Sequence, residues 1–306
     1  IKNAFHKLNP RGPESSKFNT FGEKFVLGFK RLAINGINEI SNQPITIDGV
    51  TIICNGEIYN YKILYKELYE TYKIIPKTDS DCEIIIHLYK LYGIEQTLRL
   101  LDGVFSFILY DNHDISINPK IYIARDPFGV RPLYVIRKKQ TQVENKNIFS
   151  NSNITNENII GFASEIKALH PLLYSKEQIL MYTNKSHLFN NQATSNVYNI
   201  YKSFEIIPFE PGSYSEYTID FKVNSEWRYK MQNKKYISTN FPSTILNYNY
   251  QNNIKDVYSK IIFYLEYAVK KRVLETTDRP IACLLSGGLD SSLITALVKK
   301  HYTGEL

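Results

Sequence analysis

The stretch that most constrains this sequence is an apolar run, Ile281–Leu285, which is closely followed by two adjacent glycines. The run is a predicted strand, and the residues from Asp290 to Val298 have helical periodicity. Two glycines between a strand and a helix let the backbone approach a bound group, and the helix N-terminus offers N–H donors to an anion. The pattern predicts a site for the pyrophosphate of a nucleotide. An ordinary tight turn between strand and helix is the alternative.

The side chains of this loop suit a pyrophosphate and its metal ion. Ser286, Ser291 and Ser292 offer hydroxyl donors, and Asp290 could hold Mg²⁺ or orient a donor. No lysine follows the glycines as in Gly-x-x-x-x-Gly-Lys-[Ser/Thr], so this is a different phosphate loop. It resembles the Ser-Gly-Gly-x-Asp-Ser loop of ATP pyrophosphatases, which split ATP to AMP and pyrophosphate. The resemblance implies ATP and Mg²⁺, with ATP held by Leu284, Leu285, Ser286, Gly287, Gly288, Asp290, Ser291 and Ser292.

Length and composition predict a folded protein of about two domains. The 306 residues are 43% hydrophobic and 22% charged, which suits packed cores. No apolar run approaches the length of about 18 residues that a membrane-spanning helix needs, and no secretory signal is recognisable. Cys54, Cys82 and Cys283 lack the spacing of a disulfide framework or metal site. We therefore expect a reducing, cytoplasmic setting, no membrane and no metal held by cysteines.

The net charge of +7 does not predict nucleic-acid binding. Lys and Arg are scattered along the chain, with short clusters only at Arg137–Lys139 and Lys270–Arg272. A surface that follows phosphates needs a concentrated basic stripe.

Hydrophobic periodicity predicts further elements. The expected strands are Phe25–Ile34, Val50–Cys54, Val104–Tyr110, Ile121–Arg125, Leu133–Ile136 and Gly161–Ser164. The expected helices are Leu64–Tyr72, Cys82–Leu100, Glu165–Leu169 and Val257–Arg272. Lys138–Asn158 and Thr183–Asn199 are Asn-rich and suggest surface insertions or disorder, and Met231–Asn253 has the composition of a linker.

Three polar features accompany these elements. The Asn55 side chain and the Gly56 N–H, at the end of a predicted strand, could form an oxyanion hole, although Asn-Gly is also typical of a hairpin turn. Thr78–Glu83 precedes a helix and has more acidic groups than capping needs, so one carboxylate could bind an amine. Arg31, in an apolar strand, requires an anion, which could be a substrate carboxylate or an internal Asp.

Together these motifs resemble the glutaminase domain of glutamine-dependent asparagine synthetases, in the order found in that family. The matching segments are Arg11–Glu14, Lys30–Ile34, Asn55–Asn60, Asp79–Glu83, Leu101–Phe107, Ala124–Tyr134, Ala163–Leu169 and Pro211–Tyr214, followed by the Ser286–Ser292 loop. The resemblance implies an α+β N-terminal nucleophile amidohydrolase sandwich of layers αββα. The first strand and helix of an α/β, Rossmann-like ATP-pyrophosphatase domain would follow it. We expect the glutaminase domain at 1–229, a linker at 230–252 and the start of the synthetase domain at 253–306.

The resemblance also implies roles for individual residues. Arg31 and Leu32 would bind glutamine, with Arg31 on its α-carboxylate, and Glu57 and Asp81 would hold its α-ammonium. Asn55 and Gly56 would stabilise the oxyanion. Ammonia would travel through an internal tunnel to a β-aspartyl-AMP intermediate, formed from aspartate and ATP, and would displace AMP to give asparagine. The implied partners are glutamine, aspartate and ATP, and a homodimer is left open.

The sequence departs from the family in two places. The family's nucleophile is an N-terminal Cys, whereas this sequence begins with Ile1, and we expect truncation at both ends. Cys54 is not expected to replace it, because a small buried thiol at a strand end is common. Pro10–Glu14 lacks the usual His before Arg and Asp after Pro. The alternatives are a related ATP-using amidotransferase with another acceptor, or a non-catalytic regulatory or scaffold homologue.

Overall fold

A computed structural model describes residues 1–21, 25–114, 118–138, 159–173, 204–219, 227–238, 254–274 and 278–305. The chain divides into two compact units. The first unit comprises residues 1–32, 43–56 and 104–237, and the second comprises residues 33–42, 57–103 and 238–306. None of the described helices is long and apolar enough to cross a membrane.

The described ranges contain strands and helices that we number in chain order. The strands are β1 Ser15–Phe21, β2 Phe25–Arg31, β3 Ile45–Ile47, β4 Val50–Ile58, β5 Gly103–Asp111, β6 Lys120–Arg125, β7 Tyr134–Lys138, β8 Ile159–Ala163, β9 Phe204–Pro208, β10 Ser213–Ile219 and β11 Trp227–Lys235. The α-helices are α1 Lys2–His6, α2 Tyr61–Tyr72, α3 Ile84–Leu100, α4 Ile166–Leu169, α5 Ile254–Leu274 and α6 Leu289–His301. Short 3₁₀ turns occupy Asn9–Arg11, Glu39–Ser41, Asp81–Glu83 and His170–Leu173.

The largest sheet has six strands in the order β11-β10-β6-β5-β4-β3. Its β3–β4 hairpin turns at Asp48-Gly49, where φ is 46° and 81°. Both values lie in the left-handed region that a two-residue hairpin turn requires. β1 and β2 form a separate antiparallel pair, and β8, β7 and β9 form a three-stranded sheet.

The first unit is built in layers. Ile121, Ile123 and Tyr217 of the six-stranded sheet share an apolar cluster with Phe162 of β8 and with Phe209, so two sheets pack face to face. A second cluster, formed by Ile136, Leu169 and Leu173 with their neighbours, joins β7 to α4 and the turn after it. The predicted sandwich of sheets is thereby confirmed, with a helical layer on the three-stranded sheet.

The second unit contains the remaining long helices. α3 is interrupted at Gly93, whose φ of 72° and ψ of 171° are not helical. Val269 and Val273 of α5 and Val298 of α6 form a small core, which Ile281 and Cys283 join. The predicted helix after the glycine pair is confirmed as α6, and α5 extends the predicted helix at both ends.

Two predictions of secondary structure are wrong. Ile281–Leu285 is not a strand, because an apolar run becomes a strand only when a neighbour completes its hydrogen bonds, and no such ladder forms in the described ranges. Met231–Lys235 is not linker, because it forms the second half of β11 and pairs with β10. The Asn-rich predictions at Lys138–Asn158 and Thr183–Asn199 lie, apart from Lys138 at the end of β7, outside the described residues.

Candidate functional site

Asn55 and Gly56 lie inside β4, which continues to Ile58. The hairpin alternative for this Asn-Gly pair is therefore wrong. A Cβ atom at Gly56 would lie 2.4 Å from the carbonyl oxygen of Val104 and 2.7 Å from Cα of Phe105. Real Cβ atoms do not come this close to a neighbouring backbone, so the approach of β5 requires glycine here.

The side-chain amide of Asn55 has an unusual environment. Its Nδ2 atom is buried and donates no hydrogen bond within the described ranges. A donor that is removed from water without an acceptor costs about 1–3 kcal/mol. Such an amide is suited to an anion that binds transiently, as an oxyanion does.

Cys54 precedes this pair and is held by Gln43. The Cys54 N–H donates to Oε1 of Gln43 at 2.6 Å, and Nε2 of Gln43 donates to the Cys54 carbonyl at 3.1 Å. Cys54 is only 2% exposed. A thiol this deeply covered is poorly placed to attack a substrate, in agreement with the prediction that Cys54 is not the nucleophile.

Asp81 is a buried carboxylate of the second unit. Ser80 caps the short turn Asp81–Glu83, since its Oγ accepts the Cys82 N–H at 3.3 Å, so Asp81 is not needed as a cap. Asp81 is 4% exposed, and its Oδ2 accepts the Ile58 N–H at 2.7 Å. Burial raises the pKa of Asp81 to about 6. The hydrogen bond from the Ile58 N–H and the nearby polar side chain of Asn35 oppose the shift, while the nearby charge of Glu57 raises the pKa further.

Arg31 ends β2 in the first unit and is 7% exposed. Its carbonyl accepts the Glu14 N–H at 3.1 Å, and a Cβ atom at Gly12 would lie 2.2 Å from the carbonyl carbon of Lys30. This close backbone approach explains the glycine of the Arg11–Glu14 motif. The side chain of the next residue, Leu32, is exposed.

The predicted glutamine residues are therefore distributed between both units. Arg31, Leu32, Asn55 and Gly56 belong to the first unit, whereas Glu57 and Asp81 belong to the second. Within the second unit the Glu57 and Asp81 carboxylates are close enough to interact electrostatically. The convergence of all six residues on one glutamine stays a prediction.

Glu83, the last residue of the Asp79–Glu83 motif, has a structural role that its place in the motif does not indicate. It is fully buried, and its carboxylate accepts the N–H groups of Lys77 at 2.7 Å and Thr78 at 2.6 Å. Nε2 of His87 lies 2.9 Å from Oε1. Burial alone would raise the pKa of Glu83, but the hydrogen bonds from His87, Lys77 and Thr78 outweigh it and lower the pKa. Glu83 thus fastens the segment that leads into Asp81. The i, i+4 spacing of Glu83 and His87 is the sequence signal for this pair.

The motif Ala124–Tyr134 contains a loop that is held together by the carboxylate of Asp126. This carboxylate is 1% exposed and accepts four backbone N–H groups, those of Phe105, Phe128, Val130 and Arg131. The guanidinium of Arg125 donates to the carbonyls of Gly129, Arg131 and Phe209. The Arg-Asp pair of the motif is structural.

The glycine pair lies at the N-terminus of α6. Gly287 has a φ of 82° with no atom within 4 Å of an added Cβ, so conformation rather than space favours glycine there. Oγ of Ser292 donates to the Gly288 carbonyl at 2.8 Å, and the hydroxyls of Ser286 and Ser291 are 3.0 Å apart. The first N–H groups of a helix have no acceptor within it, and Gly288 supplies no side-chain cap. The loop is therefore open to an anion.

The same loop can be tested for Mg²⁺. Asp290, in the first turn of α6, is its one carboxylate, and no cluster of three potential metal ligands occurs in the described part of the chain. Mg²⁺ usually binds through one or two carboxylates together with substrate phosphates and waters. Asp290 fits that mode, in which the nucleotide brings most of the ligands.

Two families of known proteins match different parts of the chain. The glutamine amidotransferase domain family matches residues 1–229, and the asparagine synthase family matches residues 263–306. Because the first match covers most of the chain, the chain belongs to the glutamine amidotransferase domain family.

Individual relatives are more specific. The chain is 33% identical over 304 residues to a probable glutamine-hydrolysing asparagine synthetase of Acanthamoeba polyphaga mimivirus, covering 97% of this chain and 46% of that protein. It is 31% identical over 306 residues to the glutamine-hydrolysing asparagine synthetase of Homo sapiens, covering 96% and 45%. The chain spans less than half the length of these relatives. A solved structure of glutamine phosphoribosylpyrophosphate amidotransferase from B. subtilis aligns with 71% of this chain and 35% of that one, at 18% identity and a TM-score of 0.39.

Proposed function

We propose that this chain is part of an ATP-dependent, glutamine-hydrolysing asparagine synthetase. The observation that carries the proposal is the succession in one chain of a glutamine amidotransferase segment and an asparagine synthase segment. Relatives with that name align over 96–97% of the chain. The proposal includes an αββα glutaminase domain at 1–229 and an ATP-pyrophosphatase-type synthetase domain that begins near 253. The linker between them begins after the end of β11 at Lys235, and not at residue 230.

In the glutaminase half, glutamine is bound through its α-groups. Arg31 pairs with the α-carboxylate, and Glu57 and Asp81 pair with the α-ammonium. The electrostatic interaction between the Glu57 and Asp81 carboxylates supports their sharing one cationic group. Asn55 Nδ2 and the Gly56 N–H receive the oxyanion when the amide is attacked. The proposal requires an N-terminal Cys in the complete gene product, with its own α-amine as the base.

In the synthetase half, the Ser286–Ser292 loop holds the phosphates of ATP. The open N–H groups of α6 and the serine hydroxyls receive phosphate oxygens. Mg²⁺, held by Asp290, would neutralise phosphate charge. The β-carboxylate of aspartate attacks ATP, pyrophosphate leaves, and ammonia then displaces AMP from β-aspartyl-AMP. Water must be excluded from the intermediate and from the ammonia path, so an enclosed tunnel belongs to the proposal.

An assay of the complete gene product tests the function. With aspartate, ATP, Mg²⁺ and glutamine, we expect asparagine, glutamate, AMP and pyrophosphate in equal amounts. Pyrophosphate without asparagine would indicate another acceptor, and no product at all would indicate a non-catalytic homologue. A cytoplasmic location and a homodimer stay predictions, which cell fractionation and analytical ultracentrifugation test.

A further inference from the structure

The residues just before the nucleotide-loop segment contact the loop that follows Arg31 and Leu32. The Asp278 N–H donates to the Ile34 carbonyl at 3.0 Å, and Oδ2 of Asp278 accepts the Gly36 N–H at 2.8 Å. Nε of Arg279 donates to the Ala33 carbonyl at 3.1 Å. Asp278 and Arg279 lie in the segment matched by the asparagine synthase family, whereas the 33–36 loop lies in the glutamine amidotransferase segment.

The 33–36 loop also contacts the turn that carries Asp81. Gly36 has a φ of 59°, and a Cβ atom there would lie 2.7 Å from the carbonyl carbon of Asp79. The Asp79 N–H donates to Oγ of Ser41 at 3.0 Å, and the side chains of Asn38 and Asp79 are hydrogen bonded. The loop therefore lies between Asp278 on one side and the Asp79 turn on the other. A shift of this loop would therefore displace Asp79, which lies two residues before Asp81.

A second contact joins the same two family segments elsewhere. Nζ of Lys271 lies 2.7–2.8 Å from both carboxylate oxygens of Asp102, and the guanidinium of Arg272 lies 4.7 Å from the ring centroid of Tyr59. The Lys271–Asp102 ion pair involves no residue of the 33–36 loop. It is therefore a natural control for a general weakening of the docking.

We propose that Asp278 is a positioning residue for glutamine, which holds the 33–36 loop and ties the geometry of the glutamine pocket to the segment that enters the nucleotide loop. The inference rests on the proposed function. Its physical basis is a side-chain oxygen that accepts the backbone N–H of Gly36. Only an acceptor is needed at Oδ2, so Asn can replace Asp at this position whereas Ala cannot.

Steady-state kinetics of the complete gene product test the proposal. We expect Asp278→Ala to raise the KM for glutamine about tenfold, from the loss of one such bond, and to release more glutamate per asparagine formed. Asp278→Asn should resemble the wild type. A tenfold change in KM corresponds to about 1.4 kcal/mol, which is about the contribution of one hydrogen bond. Ammonia-dependent synthesis should stay within about twofold in both variants, since the nucleotide loop itself is unchanged. Lys271→Gln should leave the ratio of glutamate to asparagine unchanged.

Hydrogen exchange of the 306-residue chain separates this proposal from the assignment of function. Peptides covering residues 33–42 should exchange about tenfold faster in Asp278→Ala than in Asp278→Asn. Arg279→Gln, which removes the Nε donor to the Ala33 carbonyl, provides a second variant if Asp278→Ala does not fold. Unchanged exchange together with an unchanged KM for glutamine would overturn the positioning role. A wild type that makes no asparagine would overturn the function, while faster exchange in Asp278→Ala would still establish the contact.

Discussion

Replacing Asp81 by Asn should change how the stability of the protein depends on pH. The folded-state pKa of about 6 lies above the ordinary value of 3.8, because the carboxylate is buried. The folded protein thus binds a proton on Asp81 at pH values where the unfolded chain has released it. The free energy of unfolding therefore rises as the pH falls from about 6 to about 4, and ionised Asp81 costs stability above that window.

The magnitude follows from the same two pKa values. At about 1.36 kcal/mol per pH unit, a shift from 3.8 to about 6 corresponds to about 3 kcal/mol. Asn does not titrate, and its carbonyl can still accept the Ile58 N–H. The difference in unfolding free energy between wild type and Asp81→Asn should therefore change by about 3 kcal/mol between about pH 4 and about pH 7, with the wild type relatively less stable at the higher pH.

Urea unfolding followed by circular dichroism at a series of pH values measures this difference. Asp79→Asn, which changes an exposed carboxyl in the same turn, controls for the general loss of one negative charge. A difference between wild type and Asp81→Asn that stays constant across this pH range would refute the argument from burial. The same titration predicts that the KM for glutamine rises as the pH falls below about 6, because protonated Asp81 no longer attracts an ammonium group.

Three further variants follow from the site. Arg31→Ala in the complete gene product should abolish glutamine-dependent synthesis and spare ammonia-dependent synthesis, with Lys30→Ala at the neighbouring half-buried lysine as the control; an equal loss of both activities would make Arg31 structural. Asp290→Ala should remove both activities, and survival of either in a product assay would contradict its role at the nucleotide loop. Glu83→Gln should lower the free energy of unfolding, measured by urea denaturation, by about 2 kcal/mol, since its amide cannot accept from both the Lys77 and the Thr78 N–H. Unchanged stability would show that these two hydrogen bonds contribute little.

Six strands, β2 and β4 to β8, could be predicted from sequence because their apolar residues form clear local patterns, whereas β1, β3, β9, β10 and β11 were not predicted. The strands at Val104–Tyr110 and Ile121–Arg125 differ from β5 and β6 by one residue or less at each end. β4 was predicted too short, because Asn55-Gly56 has the composition of a turn. The actual turn, at Asp48-Gly49, carried an equally clear signal.

The remaining errors have physical causes. Ile281–Leu285 has the composition of a buried strand, yet a strand depends on neighbours that local sequence cannot supply. Met231–Lys235 is polar because β11 lies at the edge of its sheet and is only partly covered. The contacts of Asp278 join residues far apart in the chain, and those of Glu83 with the Lys77 and Thr78 N–H groups depend on backbone geometry, so no local pattern indicates them.

Transfer of isotope from glutamine is the most direct test of the account. The complete gene product would be supplied with amide-¹⁵N glutamine, aspartate, ATP and Mg²⁺ in the presence of unlabelled ammonium, and asparagine would be analysed by mass spectrometry. The proposed function predicts asparagine that carries ¹⁵N at the enrichment of the glutamine amide, with one AMP formed for each asparagine. Asparagine without label, or label that stays in free ammonia, would contradict it.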